Sequence, residues 1–179
     1  MVTIHDVNQG TEAWHALRSG KYTGANAHKL LRYGATSFSL TEHSSFGGNY
    51  HTKRGHALEP EAIGLYEAIT GTHVERPGFV TNTAYPTAGF SPDGLQTARV
   101  VEVKCFNEEK HLKLYGGDIP LEVLAQIHFG MLICELKAAS LLIYNPDLDD
   151  PKKCFKIIDI PYNRNIANNF KRILGAVHA

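Results

Sequence analysis

Apolar residues recur at helical spacing between Lys53 and Thr70, where Leu58, Ala62, Leu65, Tyr66 and Ile69 fall on one face and Gly71 follows as a stop. The pattern predicts an amphipathic helix over 53–70. The period then changes. HVERPGFVTNT and PTAGFSPDGL read as strands broken by turn residues, and Arg99–Cys105, rich in Val, reads as the next strand. Asn107 to Leu114 reads as a short exposed helix. LEVLAQIHFGMLICEL is apolar on nearly every side, so it predicts a buried helix, which Pro120 can open at its first turn. AASLLIYN and CFKIIDIPY read as strands around a charged turn from Pro146 to Lys153, and NRNIANNFKRILGAV as an amphipathic helix. Near the start, Thr11 can cap EAWHALR and Thr23 can cap GANAHKLLRYG. Residues 35–52 have no period and many Ser, Thr and Gly, which predicts a flexible loop. The order of elements predicts an α/β fold, a mixed central β-sheet flanked by α-helices. A chain of 179 residues fits a single domain, 1–179.

Composition narrows the class only slightly. Lys+Arg and Asp+Glu both total 18, so any basic surface must be local. Arg18, Lys21, Lys29 and Arg32 near the first helices, and Lys53–Arg54 before the long one, are such clusters and could track a phosphate backbone. Three Cys are too few and too dispersed for a disulfide framework or a zinc site. The first residues show no signal pattern and no apolar run reaches the span of a bilayer, so an intracellular protein without a membrane anchor is expected. No G-x-G-x-x-G and no Walker loop is present, which argues against a nucleotide-cofactor fold.

The informative stretch is GFSPDGLQTARVVEVKCF, Gly89 to Phe106. Side chains alternate across a strand, so Glu102 and Lys104 share one face while Val101, Val103 and Cys105 share the other. If Gly89–Leu95 and Arg99–Cys105 pair as a hairpin, Asp93 approaches Glu102. Two adjacent carboxylates repel unless a cation lies between them. Carboxylate oxygens suit Mg²⁺ or Mn²⁺, and a lysine beside such an ion could orient a water or stabilise developing phosphate charge. From spacing alone, an exposed hairpin carrying Glu and Lys on its solvent face accounts for the pattern equally well. On the long helix, Glu59 lies nearer the apolar stripe than Glu61, which favours Glu59 as an inward carboxylate. Gln126 lies within the all-apolar helix, where a buried amide needs partners.

SPDG followed by EVKC resembles the PD-(D/E)xK nuclease signature, here Asp93 and then Glu102-x-Lys104. QGTEAWHALRSGKYTGANAHKLL resembles the N-terminal motif of the phage lambda exonuclease and viral recombinase family. RGHALEPEAIGLYEAITG resembles that family's acidic helix, and IPLEVLAQIHFGMLIC its glutamine helix. The resemblance implies a restriction-endonuclease-like core and Mg²⁺-dependent cleavage of DNA, with Mn²⁺ able to substitute. It makes Asp93, Glu102, the Val103 carbonyl and Glu59 the metal ligands. It assigns Lys104 to the attacking water and Gln126 to a hydrogen bond with Lys104. It places Arg18 on a DNA phosphate and Ser91 near the terminal phosphate.

One position departs from the family pattern. The family commonly reads ITAS where this chain reads YTGA, Tyr22 to Ala25. The family's Ser helps hold a 5′-phosphate and Ala25 has no hydroxyl, so Thr23 or Asn26 would have to substitute. The expected activity is a phage-type 5′-to-3′ exonuclease on double-stranded DNA, in recombination or repair. The alternatives are an endonuclease of the same fold and an inactive DNA-binding module. The implied partners are DNA, a single-strand annealing recombinase and further copies of the chain, in the cytoplasm of a bacterial host.

Overall fold

The structure, a computed structural model, describes residues 1–40 and 50–175. Six helices run over Glu12–Arg18 (α1), Ala27–Tyr33 (α2), Tyr50–Thr70 (α3), Glu108–Tyr115 (α4), Leu121–Ile133 (α5) and Arg164–Gly175 (α6). Eight strands run over Val2–His5 (β1), Tyr22–Thr23 (β2), Phe79–Asn82 (β3), Ala88–Phe90 (β4), Gly94–Gln96 (β5), Arg99–Lys104 (β6), Ala138–Tyr144 (β7) and Phe155–Pro161 (β8). The α/β class holds, but the strands form two four-stranded sheets, ordered β1-β3-β4-β2 and β5-β6-β7-β8. Both are mixed. β2 lies parallel to β4, and β6 parallel to β7, while the other pairs are antiparallel. No helix among the described residues is long and apolar enough to cross a membrane.

The parallel pairing of β6 and β7 needs a crossover, which α4 and α5 supply. α5 is wrapped by α2, α6, β4 and β6, which accounts for its apolar residues on every side. Its Ile127, Phe129, Met131 and Ile133 join Phe90, Leu141 and Phe170 in the larger core. The other face of the second sheet packs Val101, Val103, Leu142 and Tyr144 against Ala62, Ile63 and Tyr66 of α3. β6 therefore has two covered faces, and Glu102 is buried with it.

Several expectations need correction. α3 begins at Tyr50, and its buried face is Ala62, Ile63 and Tyr66. Leu65 and Ile69 of the expected stripe are exposed, Ile69 by 63%. The sheet touches a narrower strip of α3 than the apolar residues alone would cover. Thr11 caps α1 by accepting from Trp14 N–H, as expected. Thr23 makes no capping bond; its chain passes through a 3₁₀ turn, Gly24–Asn26, and α2 starts at Ala27. α4 is only half exposed, because His111 and Leu114 are buried. Pro120 stands just before α5, at its cap. Of the expected loop 35–52, Ser37–Ser39 forms a 3₁₀ turn and 50–52 belong to α3, while 41–49 lie outside the described residues.

Phe90 shows how closely the larger core is packed. A Cβ on Gly130 would lie 2.5 Å from its ring, and one on Gly24 would lie 2.8 Å away. Phe90→Ala should lower stability by about 3–5 kcal/mol, read in urea unfolding as a lower midpoint at unchanged slope.

Candidate functional site

The segment expected to be one strand, Gly89–Leu95, is divided between the two sheets. β4 ends at Phe90 in the first sheet, and β5 starts at Gly94 in the second. Ser91, Pro92 and Asp93 make the passage. Pro92 has no N–H to donate to a ladder, which suits the break. Gly94 lies opposite Val101, and a Cβ there would stand 2.3 Å from Val74 Cγ1. The hairpin register then sets Asp93 beside the Glu102 end of β6. Asp93 Oδ2 accepts the Val103 N–H at 2.8 Å, so the carboxylate takes the place of a main-chain partner at the frayed end of the ladder.

Glu102 and Lys104 share a face, as alternation requires. Lys104 Nζ donates to Glu102 Oε1 at 2.6 Å and to Gln126 Oε1 at 3.1 Å. Gln126 reaches the lysine because α5 crosses directly over β6. The approach of α5 to the 3₁₀ turn depends on Gly24, since a Cβ there would lie 3.3 Å from Gln126 Cγ. Glu102 Oε2 is buried and has no partner among the described residues.

Glu59 comes in from α3. Its Oε1 lies 3.0 Å from the Nδ1 of the exposed His56. Pro60 follows it inside the helix and removes one helical N–H, which leaves the His56 carbonyl without its usual partner. Glu61 turns instead to Tyr144, where burial and a hydrogen bond with that carboxylate raise the phenol's pKa. The inward carboxylate is Glu59.

The acids disturb one another. Burial raises Glu102 to about 8, with Asp93 adding to the rise and Lys104 opposing it. Burial and then Asp93 also raise Glu59, while His56, Lys104 and Arg76 pull it down. For Lys104, burial favours the neutral amine, but the charges of Glu102, Asp93 and Glu59 outweigh it and hold the ammonium above its ordinary value. The neighbouring Cys105 is pushed up to about 12 by burial and by Glu59, so it carries no thiolate nucleophile at neutral pH.

Among the described residues, no group of three or more His, Cys, Asp or Glu is arranged to hold a metal ion as it stands. Lys104 already occupies one oxygen of Glu102, and Val103 one oxygen of Asp93. The donor set still fits a hard cation. Mg²⁺ is usually held by one or two carboxylates with several waters, and the unpartnered Glu102 Oε2 together with the mutually repelling acids offers such a set.

A second group adjoins the passage. Ser91 Oγ accepts from Arg18 Nη1 at 2.9 Å and from Trp14 Nε1 at 3.0 Å, and Trp14 Nε1 also reaches Gly78 O at 3.1 Å. The Arg18 guanidinium lies 4.1 Å above the Trp14 ring. Burial lowers Arg18 to about 10, so it remains a cation. Gln9 Nε2 donates to Pro92 O at 3.0 Å. Arg18 and Ser91 thus stand together. Thr23 and Asn26 do not join them: Thr23 is fully buried in β2, and Asn26 Nδ2 donates to Leu40 O at 3.3 Å. The expected basic track is also thinner, because Lys21 donates to Pro86 O and Arg54 pairs with Asp147.

Gln9, Trp14 and Arg76 escaped the sequence reading as site residues. Trp14 is the only Trp in the chain and lies one helical turn before Arg18, a signal that could have found it. Gln9 and Arg76 act through contacts 83 residues away or through space, which no local pattern reveals.

Residues 7–137 match the model of the YqaJ-like viral recombinase domain. No curated relative matches the chain significantly. Among solved structures, the alkaline exonuclease LHK-Exo from Laribacter hongkongensis aligns with a TM-score of 0.78 at 22% identity, over 93% of this chain and 90% of that one. LHK-Exo in complex with dAMP gives 0.79 at 24% identity over the same shares. A phage-related exonuclease from Haemophilus somnus 129PT gives 0.59 at 16% identity, over 90% of this chain and 93% of that one. At these identities the likeness shows a shared fold.

The raised Glu102 has a consequence for stability. From an ordinary value of 4.5 up to about 8, the folded protein keeps a proton that the unfolded chain has lost. Stability therefore falls as pH rises through that window. In chelator, the melting temperature of the wild type should drop between these limits, and that of Glu102→Gln should drop less. Parallel curves would show that Glu102 is not the group responsible.

Proposed function

The chain belongs to the YqaJ-like viral recombinase domain family, and from that membership we propose that it is a divalent-metal-dependent exonuclease acting on the ends of duplex DNA. The observation that carries this reading is the convergence of Glu59, Asp93 and Glu102 on the face where Lys104 is held by Gln126. Asp93, Glu102, Glu59 and the Val103 carbonyl would hold Mg²⁺, or Mn²⁺ in its place. Such an ion supplies a more acidic water and offsets charge on a phosphate oxygen.

The chain's own groups divide the remaining work. Lys104, kept cationic by the three acids and aimed by Gln126, positions the attacking water and faces developing negative charge. Arg18 and Ser91 grip a phosphate. Ser91 Oγ already accepts two hydrogen bonds, so its own proton is free to be donated outward. Trp14 fixes both groups from beneath. Neither Thr23 nor Asn26 supplies the hydroxyl absent at Ala25, and this observation favours a second reading, an endonuclease of the same fold.

End-labelled linear duplex, with and without a 5′-phosphate, should be degraded in Mg²⁺ from the 5′ end while covalently closed circles survive. Cutting of circles would establish the endonuclease instead. Lys104→Ala should lower kcat by about 10²–10⁴-fold with duplex binding retained, as measured in single-turnover assays. Wild-type protein that digests no DNA in Mg²⁺ or Mn²⁺ would overturn the proposal.

A further inference from the structure

Glu59 stands near the like-charged Asp93 and Glu102, on the part of α3 that precedes the stretch packed on the sheet by Ala62, Ile63 and Tyr66, so its place depends on what fixes the helix upstream. The exposed His56 faces it at 3.0 Å and offsets that repulsion only when protonated. A firmer anchor lies five residues upstream, about 7.5 Å along the helix axis. Arg54 Nη2 donates to Asn145 Oδ1 at 2.8 Å and pairs with Asp147 Oδ2 at 2.5 Å. Asn145 is itself fixed. It is buried, its N–H donates to Cys154 O at 2.8 Å, and its Oδ1 also accepts the Asp147 N–H at 3.1 Å.

The location of this clamp matters. Asn145 directly follows β7, and β7 pairs with β6 so that Ile143 stands opposite Lys104. The clamp therefore closes on the same end of the sheet as the acids. Glu61, two residues past Glu59, bears on Tyr144 of the same strand. Glu59 is thus bracketed along α3 by two attachments to one strand end. The Arg54 side chain is only 18% exposed and its Nη2 is spent on two acceptors, which makes it an internal tie rather than a free hook for phosphate.

We propose that Arg54 is a positioning residue whose hold on Asn145 and Asp147 keeps Glu59 within reach of Asp93 and Glu102 and so sets the affinity for a divalent cation. The inference rests on the metal-dependent reading above.

The test is Mn²⁺ calorimetry on the whole chain without DNA, beside kcat and KM on duplex DNA. Arg54→Ala should weaken Mn²⁺ binding and lower kcat by about 10-fold or more, with KM for duplex and its salt dependence moved less than about twofold. Asp147→Ala removes only a surface carboxylate, 72% exposed, so it keeps the fold intact, and it should show a smaller loss of the same kind. Arg54→Lys, which can still donate to Asn145 Oδ1 and pair with Asp147, should lose less Mn²⁺ affinity than Arg54→Ala. Unchanged Mn²⁺ binding in both alanine variants, or a raised KM with a salt slope lower by about one phosphate contact, overturns the inference and makes Arg54 a DNA contact. A wild type that takes up no Mn²⁺ overturns the metal reading itself, and this inference with it.

Discussion

A carboxyl group without solvent contact in the middle of a sheet either keeps its proton or needs positive charge facing it. Glu102 is in that situation, and much of the surrounding structure follows from it. Lys104 supplies the charge from two residues away on the same strand. Holding the lysine there requires Gln126, which requires α5 to cross close over β6, which in turn requires Gly24 and Gly130 where side chains would collide with Phe90 and Gln126. Removing the lysine alone would take away the charge that opposes the effect of burial and push Glu102 further toward its protonated form. Asp93 and Glu59 raise the demand for positive charge beyond what one lysine meets, and that excess is the physical reason the site fits a cation.

The two sheets divide the work around Ser91–Asp93. The first sheet carries Ser91 at the end of β4, with α1 bringing Arg18 and Trp14 to it. The second carries Asp93, Glu102 and Lys104 on β5, β6 and the turn before them. A three-residue passage joins them, and Gln9 pins its middle through the Pro92 carbonyl. The Arg18–Ser91 pair and the acid–lysine group are therefore set by different sheets and registered through one short piece of main chain.

How much of this was legible in the sequence depended on how local each cause is. Glu102 and Lys104 share a face because strands alternate, and Asp93 reaches them because the turn is short; both follow from spacing. The choice of Glu59 over Glu61 follows from their angles to the apolar stripe, even though Leu65 and Ile69 of that stripe are exposed. The split of Gly89–Leu95 between two sheets was not legible, since a Pro can end a strand or merely bend an edge. Nor were the attachments of Arg54 and Gln9, whose partners lie 91 and 83 residues away. Thr23 looked like a cap by residue type, but its place in β2 buried it instead.

The sequence separations of the site's contacts differ widely. The Asp93 bond to Val103 spans 10 residues and the Lys104 bond to Gln126 spans 22, whereas Arg18 reaches Ser91 across 73 and Gln9 reaches Pro92 across 83. Short loops close cheaply and early, and the long closures wait until both sheets exist. α1 has only half-buried and exposed residues, and its Trp14 and Arg18 are tied down by these long-range contacts. With no buried residue of its own, α1 is expected to open at a smaller free energy than the hairpin carrying the acids. On the proposed function, an Arg18–Ser91 grip on a phosphate could let go and re-form within the lifetime of one intact acid cluster, so release of a DNA strand would not require the site to come apart.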